Sequence, residues 1–115
     1  MAVTAAYERT AETISNTEKS LINGSTTLTA NTTAGVYQLF VDGVANMVKG
    51  DEFQISVYET VRASGTMRLV FRAVLKNAQS EVFVTPALML LQGWQMTMLR
   101  ISASDRAFDT SIRKG

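Results

Sequence analysis

Phe53-Gln54-Ile55-Ser56-Val57-Tyr58-Glu59-Thr60 alternates apolar and polar residues almost without a break. After a turn at Ser64-Gly65, the run Thr66-Met67-Arg68-Leu69-Val70-Phe71-Arg72-Ala73-Val74-Leu75 takes up a period of two again. Such alternation marks strands that bury one face, because successive side chains of an extended chain point to opposite sides. The spacing predicts one buried face of Phe53, Ile55 and Val57 and a second of Met67, Leu69, Phe71, Ala73 and Leu75. Arg68, Val70, Arg72 and Val74 then share the other face of their strand, with the two arginines about 13 Å apart at roughly 3.3 Å per residue.

The same pattern extends in both directions. Upstream, Val36-Tyr37-Gln38-Leu39-Phe40-Val41 is β-rich and closes at Asp42-Gly43; downstream, Val82-Phe83-Val84-Thr85 runs into Pro86, which places it at a sheet edge or a strand boundary. Leu88-Met89-Leu90-Leu91 continues beyond that bend, Trp94–Ile101 alternates once more, and Phe108–Arg113 makes a final short strand. Residues 13–33 hold ten Ser or Thr, and β-branching together with hydroxyl competition for the backbone favours extended chain there. Two short strands are expected, Lys19–Ile22 and Thr26–Ala30, joined by an Asn23-Gly24-Ser25 turn. Residues 4–16 suit a short helix or a loose arm; carrying few large apolar side chains, residues 1–16 are expected to form an extended N-terminal arm, leaving residues 17–115 as the folded domain. The whole reads as all-β, an antiparallel β-sandwich or jelly roll of seven to eight strands.

Composition narrows the chemistry. The chain of 115 residues has no Cys and no His, which removes disulfides, thiolate nucleophiles, Cys/His zinc sites and His-based catalytic triads. Eleven basic against ten acidic residues is far from the balance of a chain that binds by neutralising phosphates, so no direct nucleic-acid partner is expected. The charges are uneven, with seven acids and three bases in residues 1–60 and eight bases and three acids in 61–115. That asymmetry either permits head-to-tail contacts between copies or is cancelled when the fold interleaves the halves. The first residues lack a basic stretch followed by an apolar one, and the longest apolar run is Ala87–Leu91, so neither an export signal nor a membrane span is expected.

Candidate chemical residues are sparse. Asp51 and Glu52 are adjacent, and neighbours in a strand or turn point apart, so they read as solvated turn residues and not as an acid–base pair. Asp42, Asp51 and Glu52 lack the spacing of a Ca²⁺ loop, and the scattered glycines form no phosphate cradle. Trp94, in phase with Met96 and Met98, reads as core. No catalytic, metal or cofactor residue is predicted. Tyr7 on the arm and Arg68 and Arg72 on their strand are the candidate partner-binding residues, although cations on a strand also serve simply to keep an apolar sheet soluble.

Gly35–Asp42, Lys49–Glu59, Gly65–Phe71, Pro86-Ala87-Leu88, Gly93-Trp94 and Asp105–Arg113, spread over residues 17–115, together resemble a group of small virion proteins of tailed bacteriophages. The sequence looks most like the capsid cement, or decoration, proteins. The resemblance implies a β-sandwich or jelly-roll domain, made in the host cytoplasm and carried on the capsid exterior, where it binds the major capsid protein without catalysis. It transfers no site residue, because these proteins share no fixed site motif. A domain this small gains stability by burying surface against its own copies, so a dimer or trimer is expected. Two alternatives are another phage structural component (a tail, neck or head-completion protein) and, with less support, a ligand-binding β-sandwich using Trp94, Tyr7, Tyr37 and Tyr58 as stacking groups.

Overall fold

The computed structural model describes residues 3–115. They form nine strands and no helix: β1 Thr4–Ile14, β2 Lys19–Ser20, β3 Gly35–Asp42, β4 Glu52–Thr60, β5 Met67–Lys76, β6 Phe83–Val84, β7 Leu88–Leu90, β8 Trp94–Ser102 and β9 Arg106–Lys114. All pairings are antiparallel. One sheet runs β1-β9-β3, with β6 and β7 in succession along the far side of β3; the other runs β2-β8-β4-β5.

The sheets face each other in a sandwich-like arrangement. Tyr37, Leu39, Val41, Phe108 and Ile112 from the first meet Phe53, Ile55, Val57, Trp94, Met96 and Met98 from the second, all fully or almost fully buried. Two aromatic contacts stitch the layers: Phe53 and Phe108 edge to face at 4.8 Å, and Tyr37 tilted on Trp94 at 4.5 Å. Pairs of this kind add about 0.5–1.5 kcal/mol beyond the area they bury.

The first strand departs from expectation. Residues expected to form an arm over 1–16 make β1 instead, paired with β9 from Thr4↔Lys114 to Ile14↔Arg106, with Ile14 in the core; Met1 and Ala2 lie outside the described residues. An edge strand with one solvated face needs few large apolar residues, so a low apolar content did not exclude it.

The Ser/Thr-rich stretch also differs. Only Lys19–Ser20 pairs with β8, residues 26–30 form no strand, and contact resumes at an isolated bridge between Asn31 and Trp94. Side chains meet the backbone here in place of a ladder. Ser20 Oγ, Asn23 Oδ1, Ser25 Oγ and Asn31 Oδ1 each accept from the N–H two residues on, and that local bonding competes with strand pairing. The segment covers the outer face of β8. Gln95 donates to Thr29 O and accepts from Ser20 Oγ, and Thr97 Oγ1 donates to Glu18, so the polar half of the alternation is buried as well.

A bulge corrects the predicted core. Val57 pairs with Phe71, but the next β4 residue, Tyr58, pairs with Leu69, so β5 carries one extra residue at Val70. One added residue exchanges the two faces beyond it. Leu69 is therefore 43% exposed and Met67 only half-buried, whereas Leu75, on the near side of the bulge, stays in the core.

Candidate interaction surface

The sandwich has two flanks, and they are finished differently. On the β1/β2 flank, β1 is bulged twice, with Ala11 at φ 50°, and its side chains are tied down. Glu12 accepts from Arg9 at 2.7 Å and lies 3.4 Å from the Lys19 ammonium, which also donates to Thr13 O. Bulges and edge charges of this kind close a sheet edge to further pairing.

The β5/β7 flank is open. β5 pairs only with β4, and β6 and β7 only with β3. Among the described residues, eight of the thirteen exposed large apolar side chains fall between Val61 and Leu91. Met89 is 83% exposed, Val61 78% and Leu91 65%, and with Val36 they line a groove of about 480 Å³. Glu59, also in this lining, holds the chain that follows β7: its carboxylate accepts from the Leu91 and Gln92 N–H groups at 2.7 and 3.1 Å.

Charges from distant parts of the chain meet at several places. Asp51 pairs with Arg106 at 2.8 Å, Lys76 lies 3.7 Å from Glu52, and Ser111 Oγ donates to Glu8. Six of the eleven cations stand outside the ion pairs of the described residues, Lys49, Arg113 and Lys114 elsewhere and three on the open flank. Among the described residues, Arg62, Arg68 and Arg72 have no carboxylate within ion-pair distance. The expected shared face of Arg68 and Arg72 is broken by the bulge: Arg72 lies opposite Ser56 and Arg68 opposite Glu59, three residues along β4 and hence on the other side of the sheet. Arg72 Nε donates to Ser56 Oγ at 3.2 Å. Tyr7 is on the opposite flank, edge-on to Trp94 at 6.3 Å, its hydroxyl accepting from Asn31 Nδ2. The three candidate residues are thus not brought together.

No family model, curated protein or solved structure matches this chain. The reading of the surface rests on its own geometry.

Two polar groups, one buried and one half-buried, escaped the sequence reading. Asp51, expected in a solvated turn, is 1% exposed. Burial alone would raise its carboxyl, but hydrogen bonds from Arg106 and the Val48 N–H, with the guanidinium charge, outweigh that and hold it below the ordinary aspartate range. The Tyr58 hydroxyl donates to Glu18 Oε2 at 2.7 Å. Burial first, then the Glu18 hydrogen bond and charge, push the Tyr58 phenol up, and Ser56 and Arg72 offset part of the rise. Both groups pin chain segments to sheets. Asp42 accepts from the Val44 N–H, Asp51 pairs with Arg106 and Glu52 lies near Lys76; among the described residues no three acids come together as a metal-holding group. The open groove had one legible signal, the run Leu88-Met89-Leu90-Leu91: a strand at a sheet edge buries alternate residues, here Leu88 in part and Leu90, and leaves the others outside.

Proposed function

We propose that this chain is a non-enzymatic virion structural protein that binds the outer capsid surface of a tailed phage in many copies and stabilises the shell by clamping neighbouring major capsid subunits. The observation that carries the reading is the one-sided finish of the sandwich: an unpaired ten-residue edge at β5 beside a cluster of highly exposed apolar side chains. Exposed contiguous apolar surface and an open edge are features that a partner covers.

The finer fold supports the same reading. Counting β6 and β7 as one strand interrupted at Pro86, the eight strands run 1-8-3-6 in one sheet and 2-7-4-5 in the other. We read this order as a jelly roll, an architecture that occurs in viral capsid domains and also in lectins. Fold analogy supplies the setting and no residue. The virion assignment itself comes from the sequence resemblance.

In this role each copy ties subunits through strand addition and apolar contact, so every occupied site adds to the stability of the shell by mass action. Modest affinity per contact suffices, because the first contact raises the effective concentration for the next. Self-association as a dimer or trimer belongs to the proposal, with the uncharged cluster of Val61, Met89 and Leu91 as the contact that a symmetry axis repeats. A sedimentation run that finds only monomer at high concentration removes that part.

The deciding experiment is a map of the particle that carries the chain. Density on the exterior at capsomer junctions, in many copies, is the expected result, with earlier loss of packaged DNA on heating when the chain is absent. Density confined to the tail or portal vertex transfers the chain to the alternative phage role.

A further inference from the structure

We propose that the outward edge of β5 takes an extended acidic segment of a partner protein as an added strand, with carboxylates opposite Arg72 and Lys76 and an apolar residue opposite Val74. The inference deepens the proposed function and rests on its reading of the chain as a protein-binding module.

Three observations carry it. The edge has no strand beyond it: β5 is ten residues long, the last strand of its sheet, and among the described residues no backbone hydrogen bond reaches it from any element but β4, the Lys76 carbonyl at its end accepting from the Gln79 side chain. The other edges are poorer templates, since β1 is doubly bulged, β2 and β6 have two residues each, and β7 has three. A chain adding to a sheet needs a run of unpaired N–H and C=O groups; β5 is itself bulged once, at Val70, and its six residues Phe71–Lys76 are the longest regular run on any of these edges.

The outer face of the edge also has a pattern. Arg72, Val74 and Lys76 lie opposite Ser56, Gln54 and Glu52, alternate residues of one side of β4. An incoming strand therefore meets cation, apolar residue, cation at successive same-side positions, the two charges about 13 Å apart, Arg72 with no carboxylate partner among the described residues and Lys76 shared with Glu52 at 3.7 Å. The complementary sequence is acid-x-apolar-x-acid. Opposite charges directly across a ladder are favourable and like charges are not.

Charge then selects the occupant. β5 contains Arg68, Arg72 and Lys76 and no acid, with Arg62 just before it, so pairing with a second β5 gathers six strand cations into one ladder. The same cations that discourage self-pairing favour an acidic strand. Arg62 and Arg68 line a cleft at the end of the edge, where they extend the positive surface beyond the ladder.

The test uses the full chain and two synthetic six-residue peptides matched to Phe71–Lys76, Glu-Thr-Val-Thr-Glu-Thr and a twin with Lys in place of each Glu. Backbone amide NMR with hydrogen exchange reads both the affinity and the place of binding. The acidic peptide is expected to bind about tenfold more tightly than its twin, from two favourable cross-strand pairs exchanged for two like-charged ones. The gap should narrow with added salt. New protection should be confined to β5. Arg72→Gln with Lys76→Gln should abolish the preference, and Arg72→Glu with Lys76→Glu should invert it, so that one folded variant of the two is enough.

Equal binding of the twins overturns the proposal, as does protection at β1 or β7, a dimer joined through β5 without peptide, or a single-stranded DNA oligonucleotide that competes as well as the acidic peptide. Particle binding separates the two readings. If the wild type and the Gln variant decorate shells equally, the β5 assignment fails and the capsid role stands. If the peptide preference holds but the wild type finds no place on a shell, the β5 assignment stands and the capsid role fails.

Discussion

Asp51→Asn is the substitution with the clearest cost. Asp51 sits at the entry to β4, in one sheet, and its carboxylate accepts from Arg106 at the start of β9, in the other, through Nε at 2.8 Å and a second guanidinium nitrogen at 3.3 Å. It also accepts from the Val48 N–H at 2.9 Å, and its carbonyl receives the Asn77 N–H. Removing one partner of a fully buried ion pair costs about 3–5 kcal/mol. The Arg106 side chain is 28% exposed, so water recovers part of the lost partner. Asn can still accept from Val48. The expected loss is therefore about 2–3 kcal/mol, a large share of the roughly 5–15 kcal/mol that stabilises an ordinary domain. In urea the midpoint should fall by on the order of 1–2 M with the slope unchanged.

The pH dependence separates charge from packing. The folded-state value of Asp51 lies below its unfolded one, so its contribution is complete above about pH 4 and is lost as pH falls through the folded value. The gap between wild type and Asp51→Asn should narrow on the acid side. Equal midpoints at neutral pH, or a gap that is the same in acid, would refute the reasoning.

Leu39→Ala should cost about 2–5 kcal/mol, because Leu39 is fully buried between the sheets, whereas Leu69→Ala should stay within about 0.5 kcal/mol; paired denaturation curves check the bulge that separates them. Deleting residues 1–12 should abolish cooperative melting, since it strips most of β1 from β9; a truncated chain that melts like the wild type would return these residues to the role of an arm. In alkali, Tyr58 should ionise above the ordinary tyrosine range, burial being the main cause and Glu18 the second. Its contribution to stability should be whole below about pH 10 and lost as pH rises through the folded value, as followed by phenolate absorbance and melting in parallel.

The all-β class was legible because alternation is a local property. Phe53, Ile55 and Val57, and Trp94, Met96 and Met98, occupy the core that their spacing predicts, and an extended chain leaves such residues no other common face. Turn residues between the runs set most strand boundaries to within one or two positions. The absence of Cys and His likewise bounded the chemistry without any coordinates.

What only the tertiary structure decided depends on partners distant in sequence. The Val70 bulge exists relative to β4, so the exposure of Leu69 and the separation of Arg68 from Arg72 cannot be read from β5 alone. Asp51 is buried because Arg106, 55 residues away, meets it across the sheets, and residues 4–14 are a strand because β9, at the other end of the chain, pairs with them. The open edge is of the same kind. A strand's own residues specify that it will pair, while the number of its neighbours is fixed by sheet order, a sum of contacts over the whole chain.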